Sequence, residues 1–283
     1  MKTRILSGLI MVPLLVFIIL RGWVLFAGCF VLSLMAVREF YRGFKEMGIK
    51  PSYPIAIGST VLLYVFGLLG NIGVRNEELY YGGLQFFSSG IAIMIWMFLT
   101  VLACLLYLFK IEERKLEDGM ATLVGIFYVV FFCYHLAELG MLEKSYSILV
   151  WLVVITAFGT DICAYFAGVT MGKHKLCPVI SPKKTWEGAI GGVIGCMILC
   201  GIFAFFFVKG EIVFCLAVGL LGSVVSMFGD LTASIFKRKM GIKDYGNLIP
   251  GHGGIMDRFD SVLFTAPLVY YVLMVYLNLP IGQ

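Results

Sequence analysis

The sequence has little charge and very little histidine. Only 14% of its 283 residues are Asp, Glu, Lys or Arg and three are histidines, whereas 60% are hydrophobic. A chain so poor in charge cannot cover a soluble surface, and the mean hydropathy is +0.97. The composition excludes an ordinary soluble domain and predicts an integral membrane protein.

The sequence also lacks the spacings of disulfide frameworks and zinc sites. It has eight cysteines, none of them in a Cys-x-x-Cys or Cys/His pattern, and all except Cys177 fall in apolar runs. No small-residue cleavage site follows Lys2 and Arg4, so the first apolar run is interpreted as a retained helix. The isolated residues His135 and His174 are interpreted as structural, and no arrangement of a nucleophile and a base is present.

Long apolar runs dominate what remains. They are Ile5 to Leu20, Gly22 to Val37, Ser52 to Val74, Leu79 to Phe109, Gly119 to Ala137, Ser145 to Gly172, Gly188 to Val208, Ile212 to Gly229 and Ser261 to Gln283. These runs predict an all-α polytopic membrane protein with about nine transmembrane helices. The first two are shorter than the roughly 20 residues of a perpendicular span, which leaves open a re-entrant hairpin.

The basic residues divide unequally between the two sides of this topology. One side keeps four of the 22, namely Arg21, Arg75, Lys144 and Lys209, and the other carries the remaining eighteen. The positive-inside rule makes the richer side cytoplasmic, with the N-terminus inside and the C-terminus outside.

Chemistry-bearing residues lie mainly in the second half of the chain. Residues 1–118 are expected to form a transmembrane scaffold that ends in a solvated connector, Lys110 to Asp118. Residues 119–283 are expected to form the catalytic region, with cytoplasmic loops 171–187 and 231–260. Within it, the overlapping GxxxG spacings that begin at Gly188 and Gly191 predict close helix packing, within the subunit or between subunits.

One charged stretch, Phe228 to Asp260, interrupts the hydrocarbon. Asp257 and Asp260 are three residues apart where the last apolar run begins, so they share a face of its first helical turn. Asp230 ends the preceding run, and the connecting loop returns to the same membrane face, so Asp230 and Asp257 can meet. Carboxylates beside bases and a glycine-rich turn predict a Mg²⁺ ion held partly by phosphate oxygens. The alternative is a polybasic juxtamembrane loop with balancing acids.

Two further segments carry polar chemistry. Asp161 lies in the middle of an apolar run, where an ionisable group indicates function or, alternatively, an acid that pins neighbouring helices. Ser181 and Pro182 form a good N-cap and N1 pair, which predicts a helix beginning there with Lys183 and Lys184 in its first turn, suited to phosphate. The alternative is a pair of snorkelling lysines beside an interfacial Trp186.

The order of residues in the charged stretch resembles a known signature. It reads Ser234-x-x-Lys237-Arg238-x4-Lys243-Asp244-x-Gly246-x3-Pro250-x-His252-Gly253-Gly254-x2-Asp257-Arg258-x-Asp260. This pattern is similar to that of the phosphatidate cytidylyltransferases, also called CDP-diacylglycerol synthases, and a match of about a dozen ordered residues is specific. The Ser181 to Gly188 segment is also similar, and the resemblance is strongest from about Thr160 to Asp260.

The resemblance implies a Mg²⁺-dependent nucleotidyltransferase of phospholipid biosynthesis. Phosphatidic acid would attack the α-phosphorus of CTP, which gives CDP-diacylglycerol and pyrophosphate. The expected catalytic residues are Asp230, Asp257, Lys237 and Arg258. The expected substrate-binding residues are Ser181, Lys183, Lys184, Arg238, Lys243, Asp244, His252, Gly253 and Gly254. The expected metal ligands are Asp230, Asp257, Asp260 and Asp161, for one Mg²⁺ with or without a second cation.

The expected partners are CTP, phosphatidic acid in the membrane and a second copy of the chain as a homodimer, with no nucleic acid. The expected location is a bacterial plasma membrane with the active site facing the cytoplasm.

Three other functions stay open on the sequence. The same transfer to an isoprenoid ether lipid phosphate would carry the same signature. An ion or phosphate transporter would place Asp161 and Asp230 on its pathway, but it predicts broken helices in related halves, and no internal repeat is visible. A noncatalytic lipid-binding scaffold would tolerate Asp257→Asn, which an enzyme would not.

Overall fold

The computed structural model describes residues 16–76, 79–88, 90–248 and 253–278. Eight helices in these ranges are long and apolar enough to cross a membrane. They are α1 (Gly22–Glu46), α2 (Tyr53–Arg75), α3 (Gly90–Tyr107), α4 (Leu116–Met141), α5 (Val150–Met171), α6 (Trp186–Phe207), α7 (Ile212–Met240) and α8 (Met256–Asn278). The prediction of an all-α polytopic membrane protein is confirmed.

The beginning of the chain differs from the expected pair of short spans. Residues 16–20 are helical, and the rest of the predicted first span lies outside the described residues. The predicted second run, Gly22 to Val37, is only part of α1, which is 25 residues long and includes Arg38 and Lys45. Its charged end simply continues the helix, so a re-entrant hairpin is not needed to explain this run.

The run that follows α2, Leu79 to Phe109, is longer than one span requires, and the structure divides it. Tyr80–Leu84 and Gln85–Ser88 form short helical pieces with a non-helical Gly83, and α3 begins at Gly90. Two long helices contain π-helical turns, Ile126–Phe131 in α4 and Ile155–Gly159 in α5.

The charged end of α7 was predicted wrongly as loop. The helix does not stop at Gly229 but continues to Met240, with three basic residues in its last turn that complement the helix dipole. Gly241 then ends it in the left-handed conformation, with φ of 69°. Because α8 begins at Met256, the loop between them is shorter than the predicted 231–260.

The segment before α6 is a β-hairpin. Strand β1 (Lys175–Cys177) pairs antiparallel with β2 (Ser181–Thr185). The predicted helix start at Ser181 is therefore wrong. Thr185 has extended backbone angles and caps α6, because its hydroxyl accepts from the Gly188 N–H at 3.1 Å.

The second half of the chain packs as consecutive neighbours: α5 on α6, α6 on α7 and α7 on α8. The GxxxG prediction is confirmed within the chain, since a Cβ at Gly191 would overlap the Cβ of Ala167 on α5. Helix α4 joins this layer to the first half by packing against both α1 and α8. All eight cysteines are free.

Candidate active site

The acidic side chains gather at one end of the α5 to α8 layer. Ser261 Oγ on α8 donates to the Ser226 carbonyl on α7 at 3.3 Å, and a Cβ at Gly229 would lie 2.9 Å from the Asp260 carbonyl oxygen. Asp230 follows this contact by one residue on α7, and Asp257 precedes it by less than one turn on α8. The predicted placement of both acids at the same end of the bundle is correct.

Three of the acids share one electrostatic environment. Asp230 repels Asp161 on α5 and Asp260 on α8, and the latter two also repel each other. Such a group of like charges at the end of apolar helices is costly unless cations balance it.

Two lysines supply that balance. Lys184 on β2 forms an ion pair with Asp230, and both side chains are about three-quarters buried. Lys237 on α7 forms an ion pair with Asp257 at 2.9 Å, and the Asp257 side chain is only 2% exposed. The hairpin therefore brings its lysine onto the end of α7, a position that a helix beginning at Ser181 would not give.

An open cavity of about 480 Å³ lies beside the Lys184–Asp230 pair. Helices α5 and α6 and the hairpin form its walls. The lining residues are Asp161, Ala164, Tyr165, Gly168, Val169, Lys175, Leu176, Ser181, Lys183, Lys184, Thr185, Gly188, Ala189 and Met227. The basic side chains of the cavity all belong to the hairpin, and the rest of its wall is largely apolar. The cavity therefore suits a ligand that has both a phosphate and a hydrocarbon portion. It contains four of the predicted site residues, Asp161, Ser181, Lys183 and Lys184.

Asp257 organises the loop between α7 and α8. Its Oδ2 accepts from the backbone N–H of Tyr245 at 2.8 Å and of Gly254 at 3.0 Å. Gly253, in the described part of the predicted glycine-rich turn, has φ of 84°, a conformation that favours glycine. The Gly254 N–H, however, meets a protein carboxylate and is not free for a substrate phosphate.

Tyr245 fixes the same loop to α7. Its hydroxyl donates to the Ala233 carbonyl at 3.1 Å, and the ammonium of Lys237 lies 5.5 Å from its ring centroid. Burial, followed by the charges of Asp257 and Asp260, raises the pKa of Tyr245 above its usual value. The phenol therefore stays neutral and holds the loop as a hydrogen-bond donor.

Glu39 on α1 is a site residue that the sequence did not reveal. Its Oε2 accepts from the Met256 N–H at 2.9 Å, and a side chain at Gly246 or Gly254 would collide with its carboxylate. In the sequence Glu39 resembles any charged residue at the end of a span. The N-terminal half therefore contacts the start of α8, next to Asp257, and contributes more than a scaffold.

Tyr128 on α4 is the second residue that was missed. It is 8% exposed, lies close enough to Asp230 and Asp260 to interact with their charges, and its hydroxyl has no hydrogen-bond partner among the described residues. It belongs to the π-helical turn of α4, a feature that often occurs at functional sites. Nothing in its apolar run distinguishes it from a core tyrosine.

The remaining predicted residues lie outside the cavity. Arg238, Lys243 and Asp244 are exposed at the end of α7 and on the loop, and Arg258 is half-buried on α8. His252 lies outside the described residues. His135 and His174, which we predict to be structural, both have hydrogen-bond partners: the Phe131 carbonyl and Tyr271 hydroxyl for the first, and Glu187 for the second.

The described residues contain no group of three or more His, Cys, Asp or Glu side chains placed to hold a metal ion. Asp230 and Asp257 each hold a lysine ammonium instead. The donor chemistry still fits a hard cation, because carboxylate oxygens are the ligands that Mg²⁺ prefers and the acids already attract positive charge.

Comparison with known proteins gives a consistent result along the chain. A sequence model described as "Cytidylyltransferase family" matches residues 2–276. A protein of Bacillus subtilis named phosphatidate cytidylyltransferase is 32% identical over 280 residues, which cover 98% of this chain and 98% of the relative. Proteins of the same name from Staphylococcus haemolyticus and Mycobacterium bovis are 35% and 34% identical, covering 96% and 94% of this chain and 97% and 84% of theirs.

Proposed function

The chain belongs to the cytidylyltransferase family, and we propose that it transfers the cytidylyl group of CTP to phosphatidic acid. The products are CDP-diacylglycerol and pyrophosphate. The observation that carries this proposal is the similarity, over nearly the whole chain, to relatives named for that activity. The largely apolar cavity with lysines at one part of its wall supports it, since phosphatidic acid joins a phosphate to hydrocarbon.

The reaction needs little from a protein base. The phosphate monoester of the lipid has a second pKa of about 6 and is largely ionised at neutral pH. One of its oxygens forms a bond to the α-phosphorus of CTP, and the bond from that phosphorus to the bridging oxygen of pyrophosphate breaks. This agrees with a site in which His135 and His174 have structural partners.

The main requirement is to bring two polyanions together. We assign Lys183, Lys184 and Ser181 to the lipid or nucleotide phosphates, because they line the cavity where its polar wall begins. Lys184 is central, since its ammonium is already partly desolvated against Asp230. The apolar side chains of Tyr165, Val169 and Leu176 would receive the upper part of the acyl chains.

We propose that Mg²⁺, with or without a second cation, is held by Asp230 and Asp257, with Asp161 and Asp260 adding negative charge around it. The bound ion would supply charge neutralisation for the departing pyrophosphate. Lys184 pairs with Asp230 and Lys237 with Asp257, which orients these two carboxylates, and Asp257 and Glu39 hold the loop between α7 and α8 in place.

We further propose that the site faces the cytoplasm of a bacterial plasma membrane and that the protein acts as a homodimer. CTP is a cytosolic compound, and the eighteen basic residues of the predicted cytoplasmic side include every lysine assigned above.

The proposed function is tested by pyrophosphate release from the purified protein. Release is expected with CTP, phosphatidic acid and Mg²⁺ together, and it is expected to fall to background when ATP replaces CTP or diacylglycerol replaces phosphatidic acid. Comparable release with diacylglycerol would refute the lipid phosphate as the attacking group. A faster reaction with an isoprenoid ether lipid phosphate would move the assignment to that substrate, and a requirement for Mg²⁺ is measured in the same assay with a chelator.

A further inference from the structure

A second cavity, of about 580 Å³, lies in the N-terminal half and shares no lining residue with the first. The connection between α1 and α2 forms one wall, and the end of α3 with the connector to α4 forms another. Its lining includes three basic residues, Lys45, Lys50 and Arg114, and two tyrosines, Tyr53 and Tyr107. None of these residues has a role in the proposed transfer.

The charged ends of two of the basic residues lie on the aromatic walls. The Lys45 ammonium is 4.7 Å from the ring centroid of Tyr53, and the Arg114 guanidinium carbon is 4.6 Å from that of Tyr107. Stacking on a ring orients a cation but leaves its N–H donors available. Arg114 Nε is in fact buried without a hydrogen-bond partner in the described part of the chain.

None of the ion pairs among the described residues joins the buried acid Asp118 to these cations. Asp118 is 3% exposed, and its two oxygens accept from the backbone N–H groups of Lys50 at 2.6 Å and Lys115 at 3.0 Å. The ion pairs found within the described ranges involve none of Lys45, Lys50 and Arg114. The cavity therefore offers unsatisfied donors and positive charge, which suits a phosphate group. The connector is also not only the solvated segment predicted from the sequence, because Asp118 accepts a hydrogen bond from the Lys50 N–H of the α1–α2 connection.

The surroundings favour a lipid phosphate over a soluble one. The cavity lies where α1 ends, α2 begins and α3 ends, so it lies at the boundary of the membrane-crossing segments. The connector that carries Arg114 also exposes apolar side chains, Phe109 at 81%, Ile111 at 84% and Leu116 at 67%. Such side chains beside cations are typical of protein surfaces at headgroup depth.

We propose that this cavity binds the headgroup phosphate of an anionic phospholipid that is not consumed in the reaction. The Lys45 and Arg114 cations hold the phosphate between Tyr53 and Tyr107, and the acyl chains lie along the exposed apolar face beside it. The bound lipid links α1, α2, α3 and the connector into one unit.

The test uses the purified full chain, stripped of lipid in a neutral detergent and titrated with phosphatidylglycerol, a phosphodiester that cannot serve as the attacking phosphate. Bound lipid is counted by native mass spectrometry, and the thermal midpoint is measured in parallel. Lys45→Gln combined with Arg114→Gln is expected to weaken phosphatidylglycerol binding about tenfold or more, since one charge-assisted hydrogen bond accounts for roughly that factor. The matched control, Lys110→Gln with Lys115→Gln, also removes two positive charges, here from connector residues that do not line the cavity, and it is expected to bind like the wild type.

Two further sets of measurements, one with other ligands and one with Arg114→Lys, identify the ligand. Phosphatidylcholine and soluble glycerol 3-phosphate are expected to give much weaker stabilisation than phosphatidylglycerol. Arg114→Lys, which keeps the charge but loses the planar donor group, is expected to fall between the wild type and the double variant.

The proposal is overturned if the double variant binds phosphatidylglycerol as the wild type does, or if the control pair loses as much affinity. Equal stabilisation by glycerol 3-phosphate would overturn the lipid assignment in favour of a soluble phosphate. Pyrophosphate release from CTP and phosphatidic acid in detergent is measured on every variant, and it is expected to stay within about twofold of the wild type, because these residues lie outside the cavity assigned to the transfer. A failure of that reaction in the wild type would concern the proposed function alone.

Discussion

At the scale of single residues, Asp257 combines two tasks. Its Oδ1 pairs with Lys237 and its Oδ2 closes the glycine loop through Tyr245 and Gly254. A neutral amide of the same shape keeps one acceptor oxygen but loses the charge that Lys237 and a Mg²⁺ ion would meet.

Asp257→Asn is therefore expected to lower turnover by a factor of about 10² or more with the fold retained, the range seen when one preorganised electrostatic group is removed. Turnover is measured by pyrophosphate release and folding by the thermal midpoint. Glu117→Gln, at the exposed start of α4, makes the same acid-to-amide change away from the site and is the control. Near-normal turnover by the Asp257 variant would favour a lipid-binding scaffold over an enzyme.

Lys184 tests the contribution of the hairpin. Lys184→Met removes the partner of Asp230 and leaves a partly buried carboxylate unbalanced, so we expect kcat/KM for phosphatidic acid to fall by about 10². Lys173→Met, an exposed residue that does not line the cavity, is expected to change it less than twofold. Similar kinetics in the two variants would contradict the assignment of Lys184 to the substrate phosphates.

Glu39 tests whether the first half of the chain shapes the site. Glu39→Ala leaves the Met256 N–H unpaired, which costs roughly 1–3 kcal/mol of loop stability. We expect faster cleavage within residues 241–255 in limited proteolysis and a lower kcat. Glu46→Ala, at the exposed end of the same helix, provides the comparison, and equal cleavage rates in both variants would refute the positioning role.

At the scale of elements, the apolar runs located the helices well because the membrane imposes their length. Their ends were predicted less well. Polar residues after Gly229 continue α7, since a helix that leaves the bilayer need not stop there, and the residues of β2 pair with β1 although Ser181-Pro182 is locally a good helix start. Residues 181–185 form a strand because β1 is available to pair with them, and such a tertiary effect cannot be inferred from local propensity.

Helix packing at the cavity is expected to depend on small residues of α6. Gly191→Leu forces a side chain into Ala167 of α5, and overpacking of this kind costs about 1–3 kcal/mol. We expect the thermal midpoint to fall by several degrees, roughly 2–4 °C per kcal/mol for a chain of this order of size. Gly58→Leu on α2, where a Cβ would meet nothing within 4 Å, should leave the midpoint unchanged.

At the scale of the whole molecule, most of the candidate site residues could be predicted from the sequence, but the contacts between distant segments could not. The motif from Phe228 to Asp260 identified Asp230 and Asp257, and composition identified the membrane. Glu39 and Tyr128 could not be identified from the sequence, because each belongs to an ordinary apolar helix. Each interacts at the site with residues about a hundred or more positions later in the chain. The division of the chain at residue 118 remains a prediction, and the Glu39 contact crosses it.

The hydrogen bond between Glu39 and the Met256 N–H joins residues 217 positions apart. During synthesis α1 is made before α8, so the Glu39 carboxylate has no Met256 N–H to accept from until α8 has been made. Until then the loop between α7 and α8 is not held by α1, and Asp257, which belongs to α8, has not been made. A chain terminated before α8 would lack both Asp257 and the partner of Glu39, and it is therefore expected not to consume CTP.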